Sequence, residues 1–172
     1  MGTPVLAAWV FLAAAVPISL WVAWSDLRSM TIPNLAVLAL TLAYVVLGPL
    51  TLPFDDYLWR YSHLAVVLVI GIALNAAGLM GAGDAKFAAA AAPYIALSDG
   101  KVMVVLYIGC FLASYVLHRI ARASPLRRLT PDWQSWAAGK RFPMGLALGI
   151  TLVAYLVLCT SPGLGPSVMP AN

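Results

Sequence analysis

Two aspartates carry the chemistry this chain could perform. Asp26 lies in Asp26-Leu27-Arg28-Ser29-Met30-Thr31-Ile32-Pro33-Asn34, and Asp84 in Gly78-Leu79-Met80-Gly81-Ala82-Gly83-Asp84-Ala85-Lys86. Both segments are short polar breaks in a chain that is otherwise almost all hydrocarbon. An acid next to a bilayer is expensive and marks function. Two carboxylates brought close together cannot both ionise cheaply, so the pair shares a proton. The ionised member can activate a water as general base while the protonated one polarises a carbonyl, the division of labour of an aspartic protease.

No other residue set competes. There is no Cys–His pair on one face, no G-x-S-x-G elbow and no cluster of His and acids for a metal. The two cysteines, Cys110 and Cys159, form no Cys-x-x-Cys pair. They lie in different apolar runs, at depths that do not suit a disulfide. No metal and no cofactor is expected.

Composition says where these acids must work. The 172 residues are 63% hydrophobic and 9% charged, with mean hydropathy +0.93. A soluble domain carries about 25% charged residues, so this chain cannot cover a water-facing surface. The expectation is an all-α, polytopic membrane bundle: residues 1–161 as a single membrane-embedded domain, and 162–172 as a poorly ordered Pro/Gly-rich tail. The first apolar run lacks a basic n-region, which argues for a mature helix rather than a cleaved signal. The pI near 9.3 fits membrane topology better than nucleic acid, because the basic residues concentrate in one loop.

Apolar runs predict about six transmembrane helices, over 5–24, 35–52, 61–77, 85–97, 102–118 and 143–159. The stretch 119–141 is a polar, basic loop. It holds Arg119, Arg122, Arg127, Arg128, Lys140 and Arg141 against one acid, Asp132. The positive-inside rule makes it cytoplasmic. Six spans then put the loops bearing Arg28 and Lys86 on the same side. Arg60 and Lys101 fall opposite, beside Asp55, Asp56 and Asp99. Asp26 and Asp84 therefore share the cytoplasmic face and can be neighbours in space.

Local signals give each acid a holder and also a plainer role. Trp21 and Trp24 before Asp26 suit an interfacial belt. Pro33 cannot lie inside a continuous helix, so Thr31 is expected to cap a new helix with Pro33 in its first turn. Arg28 is near enough to offset the Asp26 charge, or is simply a positive-inside residue. Asn34 orients a peptide or, more simply, caps a helix. Gly78, Gly81 and Gly83 loosen the backbone, and Asp84 is expected at the N-cap of the next helix. Lys86 can donate to Asp84, to substrate or to a developing oxyanion, or can sit among headgroups. Gly145-Leu146-Ala147-Leu148-Gly149 reads as a G-x-x-x-G packing face. The run 88–92 of alanines makes a thin helix beside which a lateral groove could open. His63 and His118 fall on opposite faces and form no site together.

Three stretches resemble the prepilin peptidase family, membrane aspartic peptidases that process type IV pilin-like precursors. The segment Asp26 to Asn34 is similar to its D-x-R-x-x-x-I-P-N block. Gly81-Ala82-Gly83-Asp84-Ala85-Lys86 is similar to its G-x-G-D-x-K block. Arg141-Phe142-Pro143-Met144-Gly145 resembles the Pro-aromatic-Gly block opening the last helix, with Met144 where the family usually has an aromatic residue. The resemblance implies Asp26 and Asp84 as catalytic acids. Arg28, Pro33, Asn34, Gly81, Gly83 and Lys86 become residues that shape the site or bind substrate.

It further implies cleavage of a pilin-like precursor, one with a basic leader and a hydrophobic helix, at the cytoplasmic face of a bacterial inner membrane. Large bifunctional members carry a cysteine tetrad and methylate the new N-terminus. No such cysteines stand here, and the short chain resembles the branch serving Flp-type pili, so cleavage without N-methylation is expected. The basic loop is expected to touch anionic lipid. Two other classes compete: a small proton- or cation-coupled transporter component, and a non-catalytic subunit of a secretion complex. The first lacks an inverted repeat and has its acids at one surface.

Overall fold

The computed structural model describes residues 2–139 and 141–161. The expected tail, 162–172, and Lys140 lie outside the described residues. Among the described residues the chain is helical, with no strand. Eight α-helices follow in order: α1 (Val5–Ser29), α2 (Asn34–Thr51), α3 (Phe54–Trp59), α4 (Tyr61–Ala76), α5 (Ala82–Ala91), α6 (Gly100–Ala123), α7 (Gln134–Ala137) and α8 (Met144–Thr160).

Each expected helix is present, and four segments are long and apolar enough to cross a membrane: 5–29, 34–51, 54–76 and 97–123. Helix α8 has 17 residues, the lower end of the spanning range. Helix α5 has ten, about 15 Å of rise, half the hydrocarbon thickness. The chain still passes between the two ends of the bundle here. Short 3-10 turns at Ala92–Tyr94 and Leu97–Asp99 complete the path.

Several boundaries differ from the pattern-based expectation, for one physical reason. The end of an apolar run marks where hydrocarbon stops, whereas a helix stops only at a breaker. Residues 25–29 are polar but contain no breaker, so α1 continues to Ser29. It ends with Met30 in the left-handed region, φ 54°. Helix α6 likewise continues to Ala123, which places Arg119 and Arg122 on the helix and not in the loop. The expected break at 53–60 is mostly helical: α3 follows Pro53 and leads straight into α4.

Close packing of small residues holds the bundle. Helix α1 lies along α8, with Gly149 facing Ser19: a Cβ on Gly149 would stand 3.2 Å from the Ser19 backbone oxygen. Helix α4 meets α5 where a Cβ on Gly71 would reach Ala85 Cβ at 2.8 Å. Such contacts let backbones approach where lipid offers no hydrophobic drive. A buried aromatic cluster fills the half of the bundle away from the acids. Phe11 and Tyr94 pack edge-on at 4.9 Å, Tyr44 packs on both, and the Tyr94 hydroxyl donates to Leu40 O at 2.7 Å.

A polar lock closes that far end. Arg60, expected in a loop on the opposite face, is 1% exposed and donates through Nε and Nη2 to Asp56 Oδ2 at 3.0 and 2.9 Å. Its Nη1 reaches Thr3 Oγ1 and the Tyr94 carbonyl. Asp99 accepts from Gly2 N at 2.7 Å and from the Tyr155 hydroxyl at 2.8 Å. These bonds tie the start of α1, the start of α4, the turns after α5 and the end of α8 into one cap.

Candidate active site

The opposite end of the bundle holds both candidate acids. Asp26 lies in the last turn of α1, about 32 Å of helix rise from Val5, so it reaches the far edge of the hydrocarbon. It is 5% exposed. The Gly145 N–H, one residue into α8, donates to Asp26 Oδ2 at 2.6 Å, and the Leu146 amide lies near enough to favour the charge of this carboxylate. The first N–H groups of a helix have no intrahelical partner, so the start of α8 offers free donors to an anion.

Asp84 sits three residues after the N-cap of α5, which is Gly81. It is not the N-cap itself. The physical logic is that of a capping box, in which the third helical residue reaches back to the N-cap amide. The Gly81 amide lies close to the Asp84 carboxylate and favours its charged form. A Cβ on Gly81 would stand 2.6 Å from Asp84 Oδ2, so this return needs a residue without a side chain. Burial pushes the Asp84 carboxyl above its ordinary range, and the Gly81 amide acts in the opposite direction.

Asp26 and Asp84 line one cavity of about 270 Å³, and the charge of Asp84 is felt at Asp26. Ile32 is wedged beneath. A Cβ on Gly83 would lie 3.2 Å from Ile32 Cβ, and one on Gly145 would lie 3.0 Å from Ile32 Cδ1. All three quoted sequence blocks thus meet at one side chain. Glycine at 83 and 145 lets α5 and α8 close on it.

The remaining candidates divide. Asn34, Gly81, Gly83 and Lys86 line the cavity with the two acids; Arg28 and Pro33 do not. Arg28 is exposed and makes no ion pair with Asp26 among the described residues. It complements the C-terminal end of the α1 dipole. Pro33 is the N-cap of α2, a place the sequence reading had given to Thr31. The Thr31 hydroxyl pairs with Ser29 Oγ at 2.8 Å, and Ser25 Oγ donates to Thr31 O at 2.9 Å. Those bonds hold the connector. Asn34 does not cap: its Oδ1 accepts from Lys86 Nζ at 3.2 Å. Lys86 therefore braces α2 against α5 across the cavity mouth.

The described residues of 119–141 are folded onto the bundle rather than forming a loop throughout. Trp24 packs edge-on against Trp133 at 5.2 Å, Trp133 stacks on Trp136, and Trp136 stacks on His118. Arg119 and Arg122 each donate to Gly139 O at 3.0 Å. The region is thereby anchored to the ends of α1 and α6. His63 lies at the other end, its Nδ1 3.0 Å from Ile95 O, so the two histidines are apart as expected.

Sequence reasoning passed over Gly145 as a donor, treating it as packing. It also gave Ile32, Met30 and Tyr107 no role. Met30 and Ile32 line the cavity, and Tyr107 on α6 is near enough to feel the charge of Asp84. The one available signal was the glycine that follows Pro143 in the third block. Among the described residues there is no group of three or more His, Cys, Asp or Glu arranged to hold a metal ion.

The profile of the type IV leader peptidase family matches residues 6–117. No curated protein and no solved structure matches the chain.

Proposed function

The chain belongs to the type IV leader peptidase family, and from that premise we propose that it is an aspartic endopeptidase whose acid pair is Asp26 and Asp84. The observation that carries this reading is their meeting in one cavity, Asp26 held by the Gly145 amide at the start of α8 and Asp84 in the first turn of α5. The carboxylates are drawn from α1 and α5 and share one small space. One proton then serves both. The ionised member takes a proton from water as that water adds to the scissile carbonyl, and the protonated member donates to the carbonyl oxygen. The roles belong to the pair and exchange as the tetrahedral intermediate collapses.

The side of the membrane is part of the same proposal. Arg28, Lys86, Arg119, Arg122 and Arg141 all lie at the end that carries the acids, which the positive-inside rule makes cytoplasmic. The substrate is a pilin-like precursor with a basic leader and a hydrophobic helix, cut before the helix at the inner membrane of a bacterium. An Flp-type precursor, and cleavage without methyl transfer, are the finer parts of the proposal; the second is supported by a sequence whose two cysteines, Cys110 and Cys159, form no tetrad.

The test is processing by the full chain in liposomes with a pilin-type precursor. Asp26→Asn and Asp84→Asn should each abolish cleavage, a loss of about 10²–10⁴-fold for a positioned acid or base, while the protein still inserts. Substantial processing by both single variants would overturn the assignment.

A further inference from the structure

Between α4 and α6 the bundle is open. Among the described residues these two helices have no substantial packing on each other, and α5 and α8 form the back of the gap. The result is an apolar groove of about 770 Å³. Its walls are bulky: Val66, Ile70 and Leu74 on α4, and Met103 and Val104 on α6. Its floor has a small stretch, Ala88 and Ala91 from α5, Ala92 from the 3-10 turn that follows and Gly100 at the start of α6, beside the larger Phe87, Leu148 and Leu152. The small stretch between tall walls admits the side chains of another helix at close range.

The groove leads to the acid pair. Phe87, Ala88 and Ala91 stand three, four and seven residues after Asp84, so they share its face of α5. Met80, immediately before the Asp84 turn, lines the near end of the groove, and so does Tyr107. Along α4 the lining runs from Ser62 to Leu74, about 18 Å of rise. That is a helix-length slot rather than a small-molecule pocket. Its polar groups are mostly engaged within the protein: Ser62 Oγ donates to Trp59 O, and Thr151 Oγ1 to Ala147 O. Among the buried side-chain atoms of its described lining, His63 Nε2, at the far end, has no hydrogen-bond partner. The lining, almost all hydrocarbon, suits an occupant that is apolar along its length.

We infer that this groove seats the hydrophobic helix of the precursor, with the helix start at Met80 and Tyr107 and the residues before it crossing the Asp26–Asp84 cavity. The inference rests on the peptidase reading and adds where the substrate lies. The helix would replace the missing α4–α6 contact, laying side chains at i, i+3, i+4 and i+7 onto the alanine floor. Cleavage would then fall at the top of the helix because the floor of the groove and Asp84 are on one helix face.

The test uses the full chain in liposomes with a full-length precursor. A photo-crosslinking residue is placed in the Asp84→Asn protein at Ile70 or Val104, in the groove, or at Val46, 60% exposed on the outer face of α2. Adducts to the precursor helix are expected from the first two sites and not from the third. In the otherwise native chain, Val66→Trp should slow precursor processing by about tenfold or more by filling the groove, and Val46→Trp should leave it unchanged. Equal adducts from all three sites, or adducts to lipid alone from the groove sites, would overturn the inference. So would native-rate processing by Val66→Trp. If the native chain cleaves no precursor at all, the peptidase reading itself fails. Cleavage without groove adducts refutes only the docking site.

Discussion

The Gly145 N–H donates to Asp26 Oδ2 at 2.6 Å, joining residues 119 positions apart. The bond fixes the candidate acid of α1 to the first turn of α8. Its geometry leaves no room for a methyl group, because a Cβ at 145 would stand 2.9 Å from the same oxygen and 3.0 Å from Ile32.

Gly145→Ala is therefore expected to displace the Asp26 carboxylate or Ile32. Overpacking of this kind costs about 1–3 kcal/mol, and cleavage should fall by about tenfold or more with the helical content of the protein retained. Gly149→Ala crowds only Ser19 and should act on stability more than on rate. Parallel cleavage and thermal-unfolding measurements in detergent separate the two.

Asp84 makes a prediction about pH. Its folded value lies above its ordinary 3.8 because burial disfavours the charge. For a raised carboxyl, the stabilising contribution is complete below the ordinary value and is lost as pH rises through the folded one. At neutral pH the fold thus carries a buried charge at a cost. Asp84→Asn, inactive in cleavage, should melt higher than the native chain at about pH 8, and the difference should vanish near pH 4. A variant that melts lower at both pH values would contradict this account of the site.

At the far end, Asp56 is the partner of the buried Arg60. Asp56→Ala leaves that guanidinium with only neutral acceptors. Losing one partner of a fully buried pair costs about 3–5 kcal/mol, and because the Asp56 side chain is itself 39% exposed the expected loss is nearer 2 kcal/mol. Asp55→Ala, at the adjacent residue outside the Arg60 bonds, is the control. The melting temperature should drop for Asp56→Ala alone, with the cleavage rate of the folded fraction unchanged.

Lys86 is engaged with Asn34 and not with Asp84. As a brace between exposed groups the pair is worth about 0.5–1 kcal/mol. Lys86→Ala and Asn34→Ala should each lower cleavage modestly, and the double variant should do no more than either alone. A loss of about 10²–10³-fold for Lys86→Ala alone would instead mark it as a group that stabilises the oxyanion.

The helical membrane class, the six main helices and the two aspartates were legible from the residues alone. Hydropathy reports burial in lipid directly, and a charge in such a chain stands out because its desolvation is so unfavourable. The placement of both acids at one end also followed, from counting basic residues and crossings. The caps were not legible. Thr31 and Asn34 both looked like capping residues, yet Pro33 begins α2 and Asn34 turns to Lys86, because the connector bonds of Ser25 and Ser29 engage Thr31 first. The extension of α1 beyond Trp24 escaped the pattern because hydropathy marks the edge of the hydrocarbon and not the end of a helix.

What only the tertiary structure decided is how the acids are held. A backbone N–H looks the same in every residue, so no residue type announces that Gly145 will grip Asp26. Nor does a buried Arg60 differ in sequence from a loop arginine. Glycine at 83 and 145 could be read as packing, but that both close on Ile32 depends on three helices meeting at one point. The sequence determined which groups can do chemistry near a bilayer; the packing of α1, α5 and α8 decided that two of them share one cavity.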